Sequence, residues 1–539
     1  MNEKHNENGG RNGCPGCMDR RRFLAAGCAG CTAAWTTLGN ISPGWAEEPK
    51  PAAQAEPAAP KADRPKVRLI FACWALVQDR PTWPHIGHDM RPEIQRVSTQ
   101  LPRLCPEVEF LPVVLHTPEE AQKLLAEDAK TGHIDGYLVY QMNNWVQVMH
   151  PVVASGKPTI IAQYLYGGSG GFDVYTAALR RNHKTMAAIS SSRLEDLAEA
   201  ARKFTLLRQG ATAEQVAQAA HRSHLDRMPP PQHTAGKEDK LSVRPIGQVL
   251  ADLEKELILT VGGGSSAVAK ALAETLKIQV RPVPFPEFAE AYQKTDLDQA
   301  RQIAARWKTQ AAKIDIPEPD QTLEKSARVY LAQKLLMEKY KASAIAINCL
   351  GGFYSGHLEG YPCLGFVELN DAGLVGACEA DLMSTGVMVV LRHLVGRPGY
   401  ISDPVLDSSK RQIIYAHCVA PTKPLGPTGP QNPFEIYTHS EDRRGASVRS
   451  ILPLGYMTTT LQIHPLRREV LCHRGVAVEN PWVDRGCRTK LAAEVLGDFE
   501  RMYTFWDQYG WHRVTVYGDL WEPLRELAAA LKFQFLPEA

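Results

Sequence analysis

The chain of 539 residues is 44% hydrophobic and 22% charged, with a formal net charge of +2. That is ordinary globular composition, and at roughly 100–200 residues per domain it leaves room for several domains. The near-neutral balance excludes a bulk electrostatic pull towards nucleic acid or anionic membrane, and no apolar run of transmembrane length occurs in the body of the chain.

Residues 1–46 read as targeting rather than fold. MDRRRFLAAG carries Arg20, Arg21 and Arg22 ahead of Phe23 and Leu24, the mild apolar run AAGCAGCTAAW follows, and PGWA offers a small-x-Ala cleavage site after Ala46. In that order the parts make a twin-arginine secretion signal. The twin-arginine export machinery is therefore an expected partner, and a periplasmic or other extracytoplasmic location is expected. Cys14, Cys17, Cys28 and Cys31 have the spacing of a zinc knuckle, but they straddle the signal, so cleavage would discard them. Residues 47–66 are rich in proline and alanine without apolar periodicity, as in a flexible tether. The other eight cysteines are scattered through apolar contexts, where buried thiols are expected.

From Val67 to about residue 240, strand-like and helical signals alternate. VRLIFACWAL is a continuous apolar run that suits a strand buried on both faces; VEFLPVVLH, the helical PEEAQKLLAEDAKTG, DGYLVYQM and KPTIIAQYL follow, and YGGSGGF reads as a turn. This β-α-β rhythm predicts a first α/β domain, 67–240, with a doubly wound parallel sheet. A proline- and charge-rich stretch around 227–245 marks its end. The rhythm restarts in a second α/β domain, 241–375, where ELILTVGGGSS runs from strand into turn and ASAIAINCL is another buried strand. Gly262, Gly263 and Gly264 match neither dinucleotide nor P-loop patterns, which favours a tight strand-to-helix turn and disfavours an NAD-dependent oxidoreductase. Residues 376–539 change character to strands and turns, predicting a strand-rich C-terminal α+β domain. Trp74, Trp83 and Trp145 are expected to pack in the first domain's core.

The chemistry concentrates at VGACEADLMS. Two acids, Glu379 and Asp381, appear where a strand stops and the helix LMSTGVMVVLRHL begins. Asp381 suits a helix cap, whereas Glu379 sits just ahead of the helix, where α/β folds place ligand and catalytic groups. Asp403 lies in GRPGYISDPV, read as a strand stopped by Pro404; His417 ends IIYAH; His512 opens HRVTVYGD. Carboxylates with imidazole make a hard, mixed O/N donor set suited to Mn, Mg, Co or Fe. For any one of these residues alone, a satisfied structural hydrogen bond is the favoured reading over a metal ligand. THSEDRRG, with His439, Glu441 and Asp442, reads as a solvated polar loop.

The stretch YPCLGFVELNDAGLVGACEADLMSTGVMVVLRHLVGRPGYISDPVLD, with IIYAHCVAP, HSEDRRGASVR and WHRVTVYGD further on, resembles the L-fucose isomerase family. The resemblance is strongest over roughly 340–520. It implies two α/β domains followed by a strand-rich third, a homo-oligomer (trimer or hexamer), and one divalent metal, usually Mn2+, held by Glu379, Asp403 and His512. It further implies an aldose–ketose isomerase acting through an enediolate, with Glu379 as base and Asp403 as its partner; His417 reads equally as a substrate contact and as an ordinary strand-end histidine. A related metal-dependent epimerase or lyase, or an exported carbohydrate-binding protein without turnover, is the alternative.

Overall fold

The computed structural model describes residues 63–539; the secretion signal, its cleavage site, the cysteine motif within it and all but the end of the tether lie outside the described residues. Five strands open the fold: β1 (Lys66–Ala72), β2 (Glu109–Leu115), β3 (Gly136–Gln141), β4 (Thr159–Gln163) and β5 (Met186–Ile189). They pair in parallel in the order β2-β1-β3-β4-β5. Their continuous apolar runs follow from burial on both faces: Ile70, Val139 and Ile161 enter one core, and Leu69, Leu138 and Ile160 enter another.

A second sheet is built from β6 (Leu257–Val261) and β7 (Gln279–Val283), then, past the short β8 (Lys313–Asp315), from β9 (Ala344–Ile347) and β10 (Val375–Ala377). Its order is β10-β9-β6-β7, again parallel. After β6 the chain turns through Gly262 and Gly264, at φ +66° and +106°, into a helix capped by Ser265, whose hydroxyl accepts from Val268 N. The glycines thus serve the tight turn that their spacing predicts.

The remaining strands are β11 (Tyr400–Asp407), β12 (Gln412–His417), β13 (Phe434–Tyr437), β14 (Ser447–Ser450), β15 (Met457–His464), β16 (Glu469–Glu479), β17 (Thr489–Leu496), β18 (Arg513–Tyr517) and β19 (Gln534–Pro537). Strands β13 and β14 join β8 in a small sheet. The others run β15-β18-β11-β12-β17-β16, and β16 pairs back with β15. Every pairing in that circuit is antiparallel, so the six strands close into a barrel, with β19 added in parallel outside β16. Closure removes the free edges an open sheet would expose. The α/β class and a strand-rich C-terminal part are therefore present.

Two expectations are corrected. The strand carrying Asp403 does not stop at Pro404 but runs on to Asp407. Pairing with β18 ends at Ser402 while pairing with β12 continues through Pro404–Tyr415, so the missing proline N–H interrupts no β18 ladder. Trp83 is fully buried as expected, but Trp145 is 38% exposed and stacks on Trp511 at 4.8 Å instead of filling the core.

Candidate active site

The site begins where the second sheet meets the barrel. After β10 the backbone turns sharply through Glu379 and Ala380, at φ +59° and +49°, a left-handed pair that is unusual outside glycine. Ala380 N–H is anchored on Ile347 O at 2.9 Å. The turn delivers Asp381 to the start of the helix Leu382–Val395, where its Oδ1 accepts from Ser384 N at 3.0 Å, so the capping role is real. Asp381 has a second task, however. His512 Nδ1 lies 3.0 Å from its Oδ2.

In the neutral imidazole that contact selects the tautomer of His512 that donates from Nδ1 and leaves Nε2 free to bind a cation. His512 Nε2 lies 3.5 Å from Glu379 Oε2 and 3.4 Å from Asp403 Oδ1. His417 Nε2 stands 3.8 Å from Glu379 Oε1, and the His417 and His512 rings are 5.8 Å apart. The barrel explains the convergence: Asp403 is on β11, His417 ends the neighbouring β12, and His512 precedes β18 on the other side of β11. The second sheet supplies Glu379 to this rim from the carboxyl end of β10. All four predicted residues are brought together.

Asp403 Oδ1, His512 Nε2 and both ring nitrogens of His417 are buried without a hydrogen-bond partner. Such atoms are costly in a folded interior unless a further group satisfies them. Burial pushes the Glu379 carboxyl up to about 7; His512 opposes the rise, and the charges of Asp403, Glu441 and Asp381 add to it. Burial works against charge on His512, yet the Asp381 hydrogen bond and the Asp403 and Glu379 carboxylates outweigh it and hold its proton affinity well above the ordinary range. The acids demand positive charge at this point. Between these groups lies a volume of about 10 Å³, room for one ion or water, and the Glu379 side chain stays 31% exposed, so the site opens to solvent. Oxygen and nitrogen donors, unsatisfied and aimed at one another, with the histidine oriented through its other nitrogen, fit a hard divalent metal.

Two features went unread in the sequence. The loop carrying His439, Glu441 and Asp442 is not solvated: His439 and Glu441 line the same cavity as Glu379. Tyr354 donates to Glu441 at 2.8 Å, and Tyr361 donates to Asp442. Burial lowers the proton affinity of His439, but Asp442 more than compensates and its value rises to about 9. The tyrosines that cover this loop are more than seventy residues away in sequence, so no local pattern signals its burial. The second feature is a collar of thiols. Cys349, Cys363, Cys378, Cys418 and Cys487 line the cavity, and Cys349 Sγ is 2.9 Å from Cys378 Sγ. All eight cysteines of the described chain are free and buried, as their apolar contexts predict.

Over 227 residues the chain is 26% identical to the sulfoquinovose isomerases of Priestia aryabhattai and Priestia megaterium (strain ATCC 12872 / QMB1551), covering 41% of this chain and 50% of each relative. A sulfoquinovose isomerase of Clostridium sp. (strain MSTE9) is 24% identical over 225 residues, 40% of this chain and 48% of that one. The chain is similar to sugar isomerases. It spans about half the length of the curated relatives it matches. No family model matches. Among solved structures, a carbohydrate transporter of Acidothermus cellulolyticus in complex with myo-inositol aligns at 12% identity over 61% of this chain and 87% of that one; its TM-score of 0.16 carries no argument about the fold.

Proposed function

We propose that this protein is a divalent-metal-dependent sugar isomerase that interconverts an aldose and a ketose. The observation that carries the reading is the meeting of His512 Nε2, Asp403 Oδ1 and the Glu379 carboxylate within 3.5 Å of the imidazole nitrogen, two of the three atoms being buried and unsatisfied. Similarity to sulfoquinovose isomerases supports the choice of reaction. Glu379, Asp403 and His512 would hold Mn2+, or another hard divalent ion such as Mg2+, Co2+ or Fe2+. When bound, such an ion acts as a Lewis acid on the oxygens of a sugar's C1–C2 unit.

The protein's own groups divide the proton traffic. Glu379 takes the proton from C2 of the aldose and returns it at C1, and a carboxyl pushed up to about 7 is well matched to a base that must also give its proton back. Asp403 holds the hydroxyl proton that moves between O1 and O2. Asp381 keeps His512 in the tautomer that presents Nε2. His417, 3.8 Å from Glu379, accepts or donates to a neighbouring sugar hydroxyl. The sugar reaches the site from the side on which Glu379 is exposed. Export through the twin-arginine route and assembly as a trimer or hexamer belong to the same reading; cell fractionation and light scattering test them.

The deciding experiment pairs metal analysis of the full-length wild type, Glu379→Gln, Asp403→Asn and His512→Ala with proton NMR of an aldose panel in D2O. Expected are about one ion per wild-type chain, its loss in His512→Ala, and formation of a ketose carrying deuterium at C1 that vanishes in Glu379→Gln. A wild type that takes up no Mn2+ after reloading, or turnover unchanged in Glu379→Gln, would sink the proposal.

A further inference from the structure

A second cavity, of about 280 Å³, opens at the carboxyl ends of β3, β4 and β5 and shares no lining residue with the Glu379 cavity. Its volume approaches the roughly 300–1,000 Å³ of ligand clefts, and the carboxyl ends of parallel strands are where open α/β sheets bind ligands. Three guanidiniums line it: Arg96, Arg193 and Arg485. Two are already matched by carboxylates. Arg96 is held by Glu93 at 2.7 and 2.8 Å, and Arg193 by Asp196 at 3.1 and 3.2 Å. Arg485 is different. Among the described residues no carboxylate lies within ion-pair distance of it, and it rests over the ring of Tyr164 at 4.2 Å. Gln163, only 3% exposed, lines the same cavity. Its Oε1 accepts from Ser190 Oγ, while its Nε2 has no partner. The cavity therefore presents one uncompensated positive charge and one orphaned buried donor. A neutral polyol would leave that charge unmatched, whereas an oxyanion matches the guanidinium and accepts from an amide donor.

We propose that this cavity is a second small-molecule site that takes an oxyanion, phosphate or sulfate in kind, either free or carried by a small organic molecule, on Arg485 and Gln163. Its position is distinct from the metal-ligand cluster, but the two are neighbours through one short segment. Arg485 is followed by Gly486, where a Cβ would meet the Trp83 ring at 2.8 Å, and by Cys487. Trp83 and Cys487 both line the Glu379 cavity. Glycine at 486 thus lets the segment pass tightly between the two cavities.

The test is calorimetric titration of the full-length protein with inorganic phosphate and with a hexose 6-phosphate, in wild type, Arg485→Ala, Arg485→Lys and Glu379→Gln. Saturable binding is expected in the wild type, weakened about 10- to 100-fold in Arg485→Ala and partly regained in Arg485→Lys. Glu379→Gln is expected to bind as the wild type does, which separates this site from the metal-ligand cluster. Tighter binding of the hexose phosphate assigns the anion to an organic ligand, and equal binding assigns it to the free ion. The proposal is overturned if neither anion binds, if Arg485→Ala binds like the wild type, or if Glu379→Gln rather than Arg485→Ala abolishes binding. Circular dichroism of Arg485→Ala checks that any loss in that variant is not unfolding, and Arg485→Lys, which keeps the charge, provides the conservative control.

Discussion

His512 and Asp381 are 131 residues apart, and their side chains meet at 3.0 Å, so the helix cap and the imidazole orienter are one carboxylate. Asp381→Asn keeps the shape and a cap acceptor but no longer demands a proton from Nδ1. Divalent-metal affinity is expected to fall about 10- to 100-fold, the usual effect of removing a carboxylate behind a ligating histidine. Asp381→Ala should add a loss of stability of ~1 kcal/mol from the missing cap. Metal titration with chemical denaturation separates the two effects. Equal metal affinity in Asp381→Asn and wild type would show that the contact is only structural.

The turn at Glu379 and Ala380 stores backbone strain beside the reacting groups. Ala380→Gly relieves roughly 1–2 kcal/mol of left-handed strain and loses ~0.8 kcal/mol of buried methyl. Its stability should therefore stay within about 1 kcal/mol of wild type, while Ala380→Val, β-branched at positive φ, should cost at least ~2 kcal/mol. Turnover in Ala380→Gly should drop several-fold, because a looser turn no longer fixes Glu379. Urea denaturation of the pair reads this directly, and a glycine variant less stable than the valine variant contradicts it.

Acid should unlatch the barrel at Glu538. Its carboxylate accepts from Arg513 at 2.8 and 3.0 Å and pairs with His473 Nδ1 at 2.8 Å, all three side chains being buried. Burial opposes its charge, but Arg513 and His473 prevail and hold its carboxyl at about 2. That is below the unfolded value of roughly 4.3, so the stabilisation is complete above that pH and is lost as pH falls towards 2. Glu538→Gln leaves Arg513 buried without its counter-charge and should cost ~3–5 kcal/mol at pH 7. Between pH 5 and 3 the thermal midpoint of the wild type should fall more steeply than that of the variant. Parallel slopes would remove Glu538 from the acid transition.

The parallel strands were legible because burial on both faces leaves an unbroken apolar signature, as in LIFA of β1 and AIAI of β9. The placement of Glu379 ahead of a helix and of Asp403, His417 and His512 at predicted strand ends marked them as candidates, and the resemblance to L-fucose isomerases, not their spacing, singled out Glu379, Asp403 and His512 as a donor set. Closure of the barrel was not, since it rests on β15 pairing with both β16 and β18, and pairing partners leave no trace in a strand's own alternation. Asp381 looked like a cap and is one; its contact with His512 exists only once the helix Leu382–Val395 packs against the barrel core. His439, Glu441 and Asp442 looked solvated because polarity was the sole local cue, and the tyrosines that bury them come from another part of the chain.

The stacked pair Trp145 and Trp511 ties the segment after β3 to the residue next to His512, and the Trp511 indole N–H donates to Ser169 O. Ser169 itself lines the Glu379 cavity. Indoles that overlap at 4.8 Å with planes 9° apart couple their electronic transitions. The protein thus carries an intrinsic optical reporter one residue from its proposed metal ligand. Near-ultraviolet circular dichroism and tryptophan emission can follow occupancy of the site without a label, and Trp145→Phe, at a partly exposed position, silences that signal while leaving the ligating side chains untouched.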